Sequence, residues 1–531
     1  MSNIKVTTVK IQNSSCYYNN KTIVNVDCNY TPWVNNSMVN AFYYCSNLKS
    51  VANINNNVTN MSSTFYYCNN LSSVPNIPNT VTNMAATFFH CEKITSVPTI
   101  PNSVNNLSST FSGCYALTGV PDIPNSVTSL PATFNGCNSL TTSPNIPNSV
   151  TSLSGTFQNC SNLTTVQNIP DSATTLEYAF IGCSNLTSIN LPNNVVNLYQ
   201  TFVGCSNLPT VNIVNGVTSL ARTFSGCHNL SSVNIPSNYS GPITGAFQDC
   251  YKLTDINIPV NVTSMNDGPF RNCRSLVNVS PIPNGITSLY AAFSDCWSLV
   301  NAPIMPNTIT NMLQAFHNCT SLSNVTLPTS VKDLGYCFWG TGFSTLPDFS
   351  NCTNITSLFS TFNHCLNLVN LQNANLPNVN ASMAHLFSEC TNLVTAPNIP
   401  AAATNLYYTF NGCTNLTGDI YIHSENITSA THCFLYTSLQ KNVYIPFTYQ
   451  NGVNTATLNA FNAAGFCNIV NNTWTIRNGV TILDIANAPT PSPNSIDVTG
   501  WAYSVDNGVV TLTDAPVDSN GAVTFPNIEE E

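Results

Sequence analysis

Apolar residues along this chain follow neither the alternation of a half-buried strand nor the 3.6-residue period of an amphipathic helix. They recur in a fixed order: one stretch runs Leu163, Val166, Ile169, Ala173, Leu176, Ala179, Phe180 and Cys183, with polar residues and a proline between them. Apolar steps of three or so suit a coil that turns a corner every few residues around a shared core. Cysteine marks the register. Cys45, Cys68, Cys91, Cys114, Cys137, Cys160 and Cys183 stand 23 residues apart, Cys205 and Cys227 follow at steps of 22, and Cys250, Cys273, Cys296 and Cys319 return to 23. A fixed period of roughly 20–50 residues signals stacked supersecondary units, so the expected fold is a repeat solenoid.

A phenylalanine ladder keeps the same register, three residues before each of those cysteines from Phe42 to Phe316. It continues at Phe338, Phe362, Phe387, Phe410, Phe434 and Phe461, which gives 19 expected coils of 22–25 residues. The shorter units lack one residue just after the first apolar pair, as in Leu186-Thr-Ser-Ile189-Asn-Leu191-Pro192. Pro75, Pro98, Pro121 and Pro144 follow directly on a strand residue and cannot donate to a sheet ladder. The paired strand in those coils is therefore expected to be short and to end there.

The two ends differ from the middle. Residues 1–40, with Tyr17, Tyr18, Tyr30 and Trp33, are expected to form an N-terminal β cap on a solenoid spanning 41–467, whose last unit places Cys467 where Leu belongs. Residues 468–531 read as a small C-terminal β module. Trp474 to Asp484 and Trp501 to Asp514 each show a strand, an Asn-Gly turn and a returning strand, separated by the stiff linker Ala488-Pro-Thr-Pro-Ser-Pro493.

The unit Leu-x-x-Val/Ile-x-x-Ile-Pro-x-x-Val-x-x-Leu/Met-x-x-Thr/Ala-Phe-x-x-Cys resembles the BspA-like, treponemal type of leucine-rich repeat. Cys337-Phe338-Trp-Gly-Thr341-Gly-Phe343 and Cys433-Phe434-Leu-Tyr-Thr437-Ser-Leu439 are similar to that family's shorter Phe-x-x-Thr form. The resemblance covers residues 41–467. It implies a curved leucine-rich-repeat array with a parallel β-sheet face and a surface protein used for attachment. Members commonly carry an export signal; here Met1 to Lys10 alternates like a strand and has no apolar core of a Sec signal.

Composition removes several classes of function. Charged residues are 6% of the chain, against about 25% in ordinary soluble domains, while hydrophobic residues hold at 43%. Twelve Lys plus Arg against 22 Asp plus Glu leave no basic face for nucleic acid. No run of apolar residues is long enough to insert in a membrane. The charge is also uneven: after Arg477 come eight carboxylates and no Lys or Arg, so the net −10 of the whole chain leaves −2 for the first 477 residues.

Sixteen of the 22 cysteines share one repeat position, where stacked side chains point the same way rather than at each other, so buried free thiols are expected. Cys16 and Cys28 flank a hairpin-like stretch in the cap and are candidates for a bridge. No Cys-x-x-Cys pair suggests a metal site, and no cofactor is expected. Hydrolase, phosphate-loop, dinucleotide and zinc-protease motifs are absent. The adjacent pairs His90-Cys91 and His364-Cys365 are poor catalytic dyads, because neighbours on a coil point to opposite sides. Asp249 and Asp295 repeat a turn position two coils apart rather than forming an acid/base pair. No catalytic residue is assigned.

The surface carries more. A row of hydroxyls follows the repeat Leu, with Ser73, Ser96, Thr142 and Thr165 as its outward members. Tyr43, Tyr44, Tyr66, Tyr67 and Phe89 fill the two positions after the repeat Phe, where later coils carry Ser112-Gly113 or Asn135-Gly136. These rings either cover the cap or form an aromatic platform. The chain thus reads as a non-enzymatic recognition or adhesion protein displayed at a cell surface, with a host-cell or neighbouring-cell glycan or protein as partner. The alternative is a virion component such as a phage tail fibre or receptor-binding protein, held in a larger virion or envelope assembly; an enzyme ranks third.

Overall fold

The computed structural model describes residues 9–10, 19–28, 33–437, 441–446 and 456–464, together with the strand segments 467–470, 473–476, 480–484, 502–506 and 509–514. The chain divides into two compact units, Met1–Met265 with Pro269–Leu276, and Asn266–Gly268 with Val277–Glu531. Each is a solenoid.

In the first unit, strands β1 (Val9–Lys10), β2 (Asn25–Cys28) and β3 (Ser50–Ile54) form a parallel sheet in that order, so the N-terminal segment already pairs as a coil would. Coil after coil then stacks behind it. The Phe rings from Phe42 to Phe270 form a column with centroids 5.5–5.8 Å apart and planes nearly parallel. Leu, Val, Ile and Met at the other apolar positions, such as Leu153, Val150 and Leu163, are fully buried around that column. Truncating one such ring to Ala removes its burial and leaves a cavity, about 3–5 kcal/mol.

Two rows of backbone pairing hold neighbouring coils together. In the turn row the amides of Met61, Ser63, Phe65 and Tyr67 donate to Asn83, Ala85, Thr87 and Phe89 O of the next coil at 2.8–2.9 Å. The amides between them close turns within the coil, as Cys68 N does on Phe65 O. In the strand row the amides of Thr118 and Thr164 donate back to Thr95 and Thr141 O. Regular strands appear there only where no proline follows the strand residue: β4 (Thr210–Asn212) pairs with β5 (Ser232–Asn234), and β6 (Asp255–Ile256) follows. Coils carrying Pro98 and Pro144 keep only isolated parallel bridges, Ser96 to Gly119 and Thr142 to Thr165, as the missing donor requires.

Each coil needs a left-handed residue at two places. The residue two before Phe and the residue two after it have positive φ throughout, for example Ser63 (52°) and Tyr67 (57°) around Phe65. A turn with positive φ at its third position favours Gly or Asn, and the position after Phe is filled accordingly by Gly113, Gly136, Asn159, Gly182, Gly204, Gly226, Asp249 and Asn272.

The second unit opens with β7 (Asn278–Val279) and repeats this plan, its Phe column running from Phe293 to Phe434 at 5.4–6.0 Å. β8 (Ile420–Tyr421) and β9 (Lys441–Ile445) extend the parallel row. Two expectations for the end are corrected. Phe461, expected in a nineteenth coil, lies buried on helix α1 (Ala456–Ala463), a segment with no Gly, Pro or Asp to force a turn. The expected hairpin over Trp474 to Asp484 does not form: β11 (Thr473–Ile476) pairs with β10 (Cys467–Val470), whereas β12 (Val480–Asp484) joins β9 in parallel. The open edge of β9 offers β12 a full ladder, which the local Asn-Gly turn does not outweigh. The second hairpin is present as β13 (Ala502–Asp506) and β14 (Val509–Asp514), and β14 also pairs with β11.

Candidate functional site

The cysteine column faces inward. Cys68, Cys114 and Cys160 are fully buried, and each thiol donates to the Phe carbonyl of the preceding coil, as Cys68 Sγ does to Phe42 O at 3.1 Å. Burial pushes the Cys114 and Cys160 thiols up to about 12, so they are neutral fillers with a donor to place. Beside them Thr64, Thr87 and Thr156 are buried just before Phe; Thr64 Oγ1 lies 2.7 Å from Met61 O and 2.9 Å from Met38 O of the preceding coil. In the Thr variants the two residue types exchange places: Cys337 stands before Phe338, and Thr341 after it donates to Phe338 O at 2.8 Å. Cys28 is buried in β2, with its thiol pushed up to about 12 by burial and then by Asp27; Cys16, its expected partner, lies outside the described residues.

The adjacent His-Cys pairs are divided by the core wall. Cys91 is buried, whereas the His90 ring lies outside it, stacked on Tyr67. Asp249 and Asp295 occupy left-handed turn positions and accept hydrogen bonds from Asn272 and Asn318 of the following coils at 2.6 and 2.8 Å.

The expected surface residues fall in two separate rows. Ser73, Ser96, Thr142 and Thr165 are exposed in the strand row, two of them joined by the Thr142 to Thr165 bridge. Tyr43, Tyr44, Tyr66, Tyr67 and Phe89 belong to the turn row, beyond the buried Cys-x-x-Leu corner. Those rings form two adjoining columns. Tyr43, Tyr66 and Phe89 stack at 4.5 Å with planes within 4°, and Tyr44, Tyr67 and His90 stack at 4.9 and 4.6 Å. The columns meet edge to face, Tyr43 on Tyr44 and Tyr66 on Tyr67.

This geometry changes what the rings offer. Stacking along the column spends their faces on one another, so what remains outward is ring edges and phenol hydroxyls. Burial, then the neighbouring phenols, pushes the Tyr66 hydroxyl up to about 12. The second column sits on left-handed backbone: Tyr44, Tyr67 and His90 have φ of 60°, 57° and 53°. A non-glycine residue there costs roughly 1–2 kcal/mol, and these three consecutive coils bear it where most others place Gly, Asn or Asp.

The column ends on Gly113 (φ +75°), where a Cβ would meet the His90 ring at 2.7 Å. Around that end sit Tyr115, its hydroxyl 3.5 Å from His90 Nδ1, and Glu92, 3.9 Å from the same nitrogen and accepting from Asn69 Nδ2 at 3.3 Å. Lys93 Nζ donates to Asn70 Oδ1 at 2.6 Å. Glu92 and Tyr115 were not among the residues singled out from sequence, and His90 was weighed there only beside Cys91. His90 shares the register of Tyr44 and Tyr67, which was the available signal; Glu92 and Tyr115 occupy the position after Cys in successive coils and carry no motif. Among the described residues no group of three or more His, Cys, Asp or Glu is arranged to hold a metal ion, and no helix is long and apolar enough to cross a membrane.

Comparison with known proteins follows the same repeat. The family described as BspA type leucine rich repeat region (6 copies) matches residues 1–118, 130–242, 243–369 and 336–467. Among solved structures, a leucine-rich repeat protein from Bacteroides ovatus is 25% identical over 68% of this chain and 82% of its own, with a TM-score of 0.41. A leucine rich cell surface protein from Faecalibacterium prausnitzii is 24% identical over 56% of this chain and 83% of its own, with a TM-score of 0.37. The leucine rich repeat protein of Treponema pallidum is 22% identical over 38% and 76%, with a TM-score of 0.23. No curated protein matches the chain.

Proposed function

This chain belongs to the BspA-type leucine-rich repeat family, and from that premise we propose that it is a non-enzymatic recognition protein displayed at a cell surface, which binds an uncharged, hydroxyl-rich glycan along its first-unit aromatic ladder. The observation that carries the reading is the ladder's second column. Tyr44, Tyr67 and His90 put rings on three consecutive left-handed positions at a conformational cost. Three successive rings at a place that Gly113 and Gly136 fill in the next coils support a use beyond the fold. Phenol hydroxyls repeated once per coil donate and accept without charge, which suits a sugar chain lying along the column. Glu92 and Tyr115 at its closed end supply further polar contacts.

Glycan-array binding of the full chain tests this. Tyr43, Tyr44, Tyr66 and Tyr67, changed together to Phe, keep the stacked rings and remove the hydroxyls. Binding is expected to fall about tenfold or more with these hydrogen bonds lost. Equal binding by the variant and the wild type would refute the ladder as the site.

A further inference from the structure

In the second unit the strand segment of one coil, behind Phe343, forms no bridge to either neighbouring coil among the described residues. Asn301 bridges to Asn324, and Asn370 to Thr395. Thr345, which holds the equivalent position in the coil between Asn324 and Asn370, forms no bridge with either, among the described residues. The turn row through the same coil is intact, with Asn311, Asp333, Ser357 and Ser382 bridged in succession. The solenoid is thus closed along one row and parted along the other.

The corner leading into this segment also differs from that of the coil before. Cys319-Thr-Ser-Leu322 becomes Thr341-Gly-Phe343 in the next coil, so the corner is one residue short. Gly342 is drawn against the preceding coil so closely that a Cβ there would lie 2.5 Å from Thr320 O. Phe343 fills the Leu position, buried against Phe338 and Phe362 at 5.2 and 6.4 Å. The strand segment behind it leaves the ladder and forms a ridge, Thr345 to Asp348, with a cavity on each side. One is about 550 Å³ and reaches the coil of Asn324; the other is about 520 Å³ and reaches that of Asn370.

The lining of the larger cavity restricts what it takes. Asn307, Asn324, Asn351 and Thr345 supply amides and hydroxyls, Asp348 supplies one carboxylate, and Met305 and Leu346 supply an apolar floor. No Lys, Arg or His lines it, so an anionic ligand finds no countercharge. Hydrogen bonds from Ser350 N and Oγ hold Asp348 below its ordinary value. A carboxylate accepts about four hydrogen bonds, so two lone pairs remain for a ligand. One carboxylate is too few for a metal cage, and glycoside hydrolysis uses a pair.

We propose that this parted coil is a binding site for a neutral pyranose, the terminal unit of a glycan, held in the larger cavity with adjacent hydroxyls donating to Asp348 and its carbon face on Met305 and Leu346, the half-buried apolar side chains of the same lining. The site is independent of the aromatic ladder. Its volume lies in the range of small-ligand pockets, roughly 300–1,000 Å³.

The test uses the full chain and the methyl glycosides of glucose, galactose, mannose, fucose and N-acetylglucosamine, with binding read by saturation-transfer NMR and titration calorimetry. At least one is expected to bind. Asp348→Asn, which keeps the acceptor for Ser350 N, is expected to weaken it about tenfold or more through loss of a charge-assisted hydrogen bond. Thr345→Val, which keeps the side-chain shape, is expected to weaken it less, and Tyr66→Phe with Tyr67→Phe not at all. The proposal fails if no glycoside of the panel binds, if both cavity variants bind as the wild type does, or if the tyrosine variant alone loses binding. The last outcome would assign the sugar to the ladder instead, so the two readings fail separately.

Discussion

Cys160 Sγ lies 3.1 Å from Phe134 O of the preceding coil, and in a later coil Thr341, at the position Cys160 holds, turns its Oγ1 to Phe338 O of its own coil at 2.8 Å. The two side chains share a size and a donor, and the fold uses both. An unfolded thiol ionises at about pH 8.5, whereas burial lifts Cys114 and Cys160 to about 12 and Cys365 to about 11. Above pH 8.5 the unfolded chain therefore sheds protons that the folded chain keeps, so stability is full below that pH and drains away as pH rises toward 12. Under reducing conditions the melting temperature is expected to fall between about pH 8 and pH 11. With Cys137, Cys160 and Cys183 changed to Thr the fall should be shallower; an unchanged slope would remove thiol burial as its source. Gly113 makes a second test at this scale. Gly113→Ala would place a methyl group 2.7 Å from the His90 ring at a φ of +75°, and a loss of roughly 1–2 kcal/mol is expected in chemical denaturation. No loss would mean that the left-handed backbone at Gly113 does not hold.

The coil itself is held by side chains that reach back to the coil before. Thr156 Oγ1 donates to Leu130 O at 2.7 Å from a fully buried position. Thr156→Val keeps the shape and leaves Leu130 O with only the Thr133 amide at 3.3 Å, so a cost of about 0.5–1.5 kcal/mol is expected from denaturation midpoints. A change within error would show that the hydroxyl adds nothing to that bond. The coil is also where sequence reading succeeded and stopped. Cys and Phe at constant spacing fixed the register, because one buried position can be occupied in only one way when identical coils stack. Pro98 and Pro144 told correctly where regular strands would be lacking. The partner of β12 was not legible, because its ladder lies on β9, some forty residues away in sequence, while the Asn-Gly signal beside it is local. The aromatic residues were legible as a patch but not as stacked columns with their faces spent, since that depends on the pitch between coils. The parted coil at Thr345 was legible only in part: the short form Thr341-Gly-Phe343 stood out, but the same form before β9 keeps its ladder, so the parting could not be read from it.

For the whole molecule, charge is the property that departs furthest from an ordinary protein. The net −2 of the first 477 residues leaves little for salt to screen, and the remaining −8 lies beyond Arg477. Glycan affinity is accordingly expected to change by less than about twofold between roughly 50 and 500 mM salt, read by titration calorimetry, because no long-range attraction contributes to it. A steep salt dependence would point to Glu92, Lys93 or the acidic tail as the true contact.

The turn row has one further property. In both units the inter-coil amides of the turn itself donate toward the following coil, Met61 to Asn83 O and Met312 to Asp333 O alike, and the carbonyls they meet face the preceding one, while the amide before each turn, as Thr82 on Thr59 O, donates back. A bare array would consequently have unlike ends, turn carbonyls at one and turn amides at the other. Two copies brought together by like ends would set acceptor against acceptor, so no closed, two-fold pairing is available along this axis. Unlike ends would fit, but head-to-tail joining has no reason to stop and yields a filament. Asn19 N, 2.7 Å from Tyr43 O, already occupies one terminal acceptor. The cap's chemistry is thus that of a chain terminator.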